Sequence, residues 1–353
     1  MIDRTPGLND RNLVIWLFVC ALTIYGMIVL GGVTRLTESG LSIVEWKPVV
    51  GVLPPLNEGE WLQEFEKYQQ YPEYQKVNTG MDLAGFKQIF WFEYLHRLLG
   101  RLIGVLFFFP LVVFWWRGQI RPAFKPHLSA LFVLGGLQGV LGWYMVKSGL
   151  VDNPRVSQYR LTAHLGLAVL IYGYILWLIA RLLWPAQSGA RHWLARLAVP
   201  ATFVMILSGG LVAGIRAGHA YNTWPLMAGQ WIPPGLYDYS PAWLAAFEQI
   251  TTVQFNHRLL AYLLTVLLVL LAVRLWRDSA HTRPWALFLL AALALQVCLG
   301  ISTLLLAVPI WLGALHQAGA VLLFSAVLMA AYHSSVGVTR QKETVRAATV
   351  SVG

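Results

Sequence analysis

Apolar residues in this chain run in long unbroken blocks, and polar residues gather between them. Eight blocks are long enough to cross a bilayer, near 12–32, 93–116, 126–146, 161–183, 195–215, 255–276, 284–306 and 312–333. A helix needs about 20 apolar residues to traverse the hydrocarbon core. The runs are continuous rather than alternating, which predicts helices and argues against a barrel. Several contain Gly or Pro, which membrane helices tolerate because neighbouring groups satisfy the freed backbone. The first block is longer than a signal-peptide core and no small-residue cleavage pattern follows it, so it is expected to be a retained helix. The expected fold class is all-α, a polytopic membrane protein with eight transmembrane helices.

The polar punctuation repeats. The first block ends in Gly31-Gly32 and the fifth carries Gly209-Gly210. Each is followed by a loop with a Trp and then Pro-Pro: Trp46 with Pro54-Pro55, and Trp224 with Pro233-Pro234. EYLHRLL over 93–99 matches QFNHRLL over 254–260, and LQGVLG over 137–142 matches LQVCLG over 295–300. AHLG at 163–166 faces LHQAG at 315–319. Self-similarity at this many points indicates an internal duplication. Two pseudo-twofold-related four-helix bundles are expected, residues 1–185 with a long loop 33–88, and residues 186–353. Four spans per half is an even number, so the halves share an orientation and the pseudo-axis runs along the membrane normal. Residues 58–74 in the long loop read as a short amphipathic interfacial helix or, equally, a solvated one.

Composition and charge refine this picture. The chain is 57% hydrophobic and 12% charged, a balance soluble domains rarely reach. The net charge of +10 first suggests a nucleic-acid partner, but its distribution removes that reading. With the N-terminus in the cytoplasm, the cytoplasmic segments hold 14 bases against Asp3, Asp10, Asp278 and Glu343. The remaining bases and acids balance, so the whole excess lies on one side, as the positive-inside rule requires. Both termini are expected in the cytoplasm. The two cysteines, Cys20 and Cys298, fall inside blocks, and no CxxC or CxxCH occurs. A loop disulfide, a thiolate metal site and covalent haem attachment are therefore disfavoured.

Ionisable residues inside membrane spans are costly and mark function. His96, His164, His257 and His316 each open an even-numbered block, so all four lie near the outer surface. Facing helices that each supply one imidazole form a bundle ligand set for haem iron. Zinc suits them less, because only two imidazoles fall in each half and no thiolate or carboxylate triad accompanies them. His96 and His164 are expected to pair, and so are His257 and His316. Glu93 lies one helical turn from His96, whereas its counterpart is Gln254. That difference suggests chemistry in the first half and a held cofactor in the second; an ion pair from Glu93 to Arg97 is the simpler alternative. Arg97 and Arg258 directly follow a histidine and are candidates for haem propionates, or else snorkel to the interface. Gly100, Gly166 and Gly319 would admit a flat macrocycle or close helix packing. His127, His192, His219, His281 and His333 have no matched places and read as structural or solvated.

These residues resemble the haem A synthase family over nearly the whole chain. The most specific stretches are residues 86–101, around Glu93 and His96, and residues 31–42 at the end of the first block. The resemblance implies oxidation of the C8 methyl of haem O to the formyl of haem A, a product used by haem-copper cytochrome oxidases. It implies that His257 and His316 hold a resident haem b, that His96 and His164 flank haem O, and that Glu93 acts beside it. It implies a bacterial inner-membrane location. It leaves room for delivery by haem O synthase, for an electron donor of unstated chemistry and for a homo-oligomer. Some members carry a cysteine pair in an outer loop; this chain has none there. The competing readings are a di-haem b-type cytochrome that only transfers electrons, and a secondary transporter. The second is disfavoured because transporter sites sit near the midplane.

Overall fold

The structure is a computed structural model that describes residues 8–46, 51–150, 156–184 and 192–350. Asp3, Arg4 and Arg191 of the charge analysis lie outside the described residues, as do the side chains of Arg340, Lys342, Glu343 and Arg346. The chain folds into helices α1 (Leu8–Leu36), α2 (Glu58–Gln69), α3 (Pro72–Lys76), α4 (Leu83–Trp116), α5 (Lys125–Gly149), α6 (Gln158–Leu183), α7 (Trp193–Gly214), α8 (Ala245–Glu248), α9 (Ile250–Asp278), α10 (Arg283–Leu305) and α11 (Ile310–Val350). Among the described residues no strand forms beyond one bridge between Met227 and Gln230. The eight helices expected from the apolar blocks are all present and long enough to cross a membrane.

Their packing forms two closed circuits. In one, α1 meets α4, α4 meets α5, α5 meets α6, and α6 returns to α1. In the other, α7 meets α9, α9 meets α10, α10 meets α11, and α11 returns to α7. The circuits join where α1 packs on α11 and α6 on α7 and α11. Two apolar cores follow these lines, one around Leu17, Leu128, Ile175 and Leu178, the other around Leu268, Leu271, Leu289 and Val327. Tyr25 Oη donates to the Ala318 carbonyl and Tyr172 shares a hydrogen bond with Ser325, so polar contacts also stitch the seam. In a membrane, where lipid is as apolar as leucine, such packing and interhelical hydrogen bonds are what associate helices.

Two residues beyond the ends of α1 and α7 stand Glu38 and Arg216, each in the left-handed region at φ 56°. They occupy equivalent places in the register that aligns Gly31 with Gly209, and they form an ion pair with each other. A step earlier, Arg35 donates to the carbonyls of Ala213 and Gly214. Equivalent positions that touch one another lie at the seam of the two circuits.

The amphipathic segment differs from expectation in two ways. It breaks into α2 and α3 at Tyr71, because the residue before Pro72 is forced out of the helical region. Its apolar face is also covered by protein, so it is neither free-standing nor without contact to the histidine helix. Trp61, Phe65 and Tyr68 pack on Phe86, Phe90 and Tyr94 of α4. Each buried ring contributes roughly 1.5–3 kcal/mol. Asn57 caps α2 by accepting from the Glu60 N–H at 2.9 Å, and Glu60 reaches back to the Leu56 N–H at 2.7 Å. α4 accordingly begins ten residues before its apolar block, capped by Asp82 on the Gly85 N–H. His96 is therefore well inside its helix, whereas His164, His257 and His316 lie in the first two turns of theirs.

This aromatic cap encloses Glu73, a carboxyl only 5% exposed. Burial, followed by the charge of Glu93, pushes it up to about 8, although a hydrogen bond from Tyr68 acts the other way. The unfolded chain releases this proton near 4.5 and the folded chain near 8. Between those values the folded state holds more protons, so stability falls as pH rises. Glu73→Gln is expected to flatten this slope and to gain most near pH 8. Thermal unfolding in detergent from about pH 5 to pH 8 checks it; an unchanged slope would show that the carboxyl ionises in place.

Candidate functional site

The four histidines project from α4, α6, α9 and α11. His96 lies within electrostatic reach of His164, and His257 within that of His316. The expected pairs are thus neighbours in space. All four rings are half-buried.

Each ring rests on a glycine of an adjacent odd-numbered span. A Cβ at Gly31 would lie 2.9 Å from His96 Cε1, and one at Gly142 would lie 3.0 Å from His164 Cε1. The matching values in the other circuit are 3.5 Å for Gly209 on His257 and 2.9 Å for Gly300 on His316. These four glycines belong to the repeated motifs, yet their contact with the imidazoles was not foreseen. The signal was their recurrence at the same two places in both halves. The glycines nearest the histidines in sequence do something else. Gly166 makes room for Leu207, Gly319 for Gln296 and Leu299, and Gly100 for Met27. They serve helix packing.

The double glycines have a second use. Gly32 admits the side chain of Gln317, directly after His316, and Gly210 admits Thr162, two residues before His164. In each pair the first glycine faces the histidine of its own circuit. The second faces the helix bearing the later histidine of the other circuit.

Glu93 is buried and fully engaged. Arg97 Nη2 donates to Oε1 at 2.5 Å, while Ser42 Oγ and the Ile43 N–H donate to Oε2, both at 2.8 Å. The anticipated ion pair with Arg97 forms. Gln254 also reaches its loop, but with opposite polarity: its Nε2 donates to the Tyr221 carbonyl at 3.1 Å. The acid therefore meets an N–H and a hydroxyl, and the amide meets a carbonyl. Arg97 also donates to the carbonyls of Ile43 and Glu45, and Arg258 to those of Tyr221, Thr223 and Leu226. Both guanidinium groups thus strap the loop that follows the preceding span onto the histidine helix, and their forks are largely committed to backbone oxygens.

The other histidines stand apart. His127 shares a hydrogen bond with Tyr174 Oη, His192 caps α7, and His333 stacks on Trp285 with ring centroids 4.2 Å apart. His219 lies in a short turn after α7 and His281 beside His333. An open apolar groove of about 460 Å³ between α6 and α7 contains none of the four paired imidazoles.

The donor set fits a haem. Among the described residues no group of three or more His, Cys, Asp or Glu converges on one point. Two imidazoles per site leave the other positions of an iron to a ligand that carries its own four nitrogens. His96 Nδ1 and His164 Nδ1 are buried without hydrogen-bond partners among the described residues.

Fold and site together define a polytopic helical membrane protein with paired imidazole sites that differ by one carboxylate. The COX15-CtaA family, described as cytochrome oxidase assembly protein, matches residues 14–328, and this chain belongs to it. It is 54% identical to the "Heme A synthase" of Nitrosospira multiformis over 328 residues, covering 90% of this chain and 92% of that one. It is 51% identical to that of Nitrosomonas eutropha, at 91% and 93% coverage, and 50% identical to that of Parvibaculum lavamentivorans, at 92% and 94%.

Proposed function

We propose that this protein makes haem A, oxidising the C8 methyl of haem O to a formyl group. The observation that carries the reading is Glu93 beside one histidine pair and Gln254 beside the other, in a chain about half identical to proteins named for this reaction. His96 and His164 flank the substrate haem O in the half 1–185, and His257 and His316 hold a resident haem b in the half 186–353. A resident haem held by His257 and His316 would supply electron transfer rather than oxygen binding. The reacting methyl is on the macrocycle edge, so axial imidazoles orient the substrate without covering the methyl. Two successive oxidations give a hydrate, which loses water to become the aldehyde. Glu93, held by Arg97, Ser42 and the Ile43 N–H, stabilises positive charge at that carbon or takes up its proton. The protein spans the bacterial inner membrane with both termini in the cytoplasm, and its histidine sites lie near the outer face.

The test is to extract non-covalent haem from the detergent-purified protein and identify it by chromatography and mass. Haem B together with haem O, its alcohol or haem A is the expected result. Haem B alone at two per chain would replace this reading with a di-haem electron carrier.

A further inference from the structure

The two histidine pairs differ in how their second ring nitrogen is held. Ser208 Oγ lies 3.1 Å from His257 Nδ1, and the Gln296 amide lies 3.2 Å from His316 Nδ1. Among the described residues, His96 Nδ1 and His164 Nδ1 have no such partner, although both are buried. The causes are local. Ser208 precedes Gly209, the glycine under His257, and the equivalent position before Gly31 is Leu30. Gln138 is the counterpart of Gln296, but its amide turns to His164 Nε2 at 3.3 Å and to the His164 carbonyl at 3.1 Å.

We propose that Ser208 is a positioning residue that makes His257 a lasting ligand, and that Leu30 leaves His96 exchangeable. This rests on the assignment of resident and substrate haems given above. An imidazole binds iron through one nitrogen while the other carries a proton. An acceptor on that proton fixes the tautomer and ring orientation and makes the ring a stronger donor. The serine hydroxyl is such an acceptor; the Gln296 group at His316 Nδ1 is its amide nitrogen, which touches the ring without supplying that acceptor. Leucine offers none, so the His96 ring is held by packing against Gly31 alone on that side. A cofactor site gains from strong ligation, whereas a site that frees its product at every turnover gains from weak ligation.

The experiment uses the full-length protein purified in detergent with its haems. Haem loss to excess apomyoglobin and the reduction potential of the resident haem are measured for Ser208→Ala, Ser208→Thr and Leu30→Ser. His257→Ala serves as reference. Ser208→Ala is expected to weaken retention of the resident haem by about 10-fold, the scale of losing an outer-shell partner. Its potential should shift positive, because a less electron-rich imidazole favours ferric iron less. Ser208→Thr should restore both. Leu30→Ser should slow loss of the substrate-site haem about 10-fold and leave the resident potential unmoved. Retention and potential unchanged in Ser208→Ala, with the resident haem absent from His257→Ala, would overturn this inference alone. A resident haem that survives in His257→Ala would overturn the assignment of that site.

Discussion

Glu93→Gln is expected to retain haem and to lower haem A output by about 100-fold or more, the scale on which removing one preorganised electrostatic group acts. The variant is nearly isosteric. Its amide oxygen still accepts from the Ile43 N–H and Ser42 Oγ, so the loop after α1 keeps its place on α4. The lost group is the negative charge opposite Arg97. A neutral amide neither balances positive charge developing at the substrate carbon nor accepts a proton from it. Glu93→Ala is less informative. Besides the charge, it removes the oxygen that accepts from Ser42 Oγ and the Ile43 N–H, so it frees the loop as well. Haem profiles of the purified Gln variant decide the matter, with haem O expected to accumulate beside unchanged haem B. Normal haem A output would remove Glu93 from the mechanism.

Gly300→Val should empty the resident site. Even the Cβ of the new residue would sit 2.9 Å from His316 Cε1, and its two methyl groups project further. Gln296 Nε2 also meets this edge of the ring, at Nδ1, so moving the imidazole away from position 300 breaks that contact too. Displacing a ligand by about 1 Å is enough to break iron coordination, given how narrow productive geometry is. The expected spectrum shows haem B falling below about one-tenth of the wild-type content while the protein stays folded. Gly104→Ala is the control: nothing lies within 4 Å of a Cβ built there, so haem content should not change. Full haem content in Gly300→Val would mean that the ring does not need this glycine.

Eight spans and four matched histidines were legible because membrane burial writes itself along the chain, as continuous apolar runs interrupted by costly polar residues. The start of α4 was not legible. Lys87 and Gln88 interrupt the hydropathy, yet the helix continues beneath Trp61 and Phe65, which lie in a different part of the sequence. The glycines under the imidazoles were visible as motifs but not as contacts, since a ring and the glycine beneath it sit on separate helices. The same holds for Ser208, whose meaning depends on His257 being opposite. The roles first weighed for Arg97 and Arg258 missed the loop carbonyls, because a guanidinium near a histidine looks the same in sequence whichever oxygen it finds.

The Glu38–Arg216 pair bears on how such a chain could arise. On our reading of the two halves as copies of one unit, these residues occupy the same position in each copy and meet across the axis that relates them. In a homodimer of that unit, an on-axis residue would face its own duplicate, since a twofold interface is self-complementary. An acid there would repel an acid, and a base a base. Fusing two copies into one gene lifts that restriction, because each copy then drifts separately and opposite charges become available at one structural address. Such a pairing also ties the copies into a fixed couple: neither half can be exchanged for another of its own kind without setting like charges together.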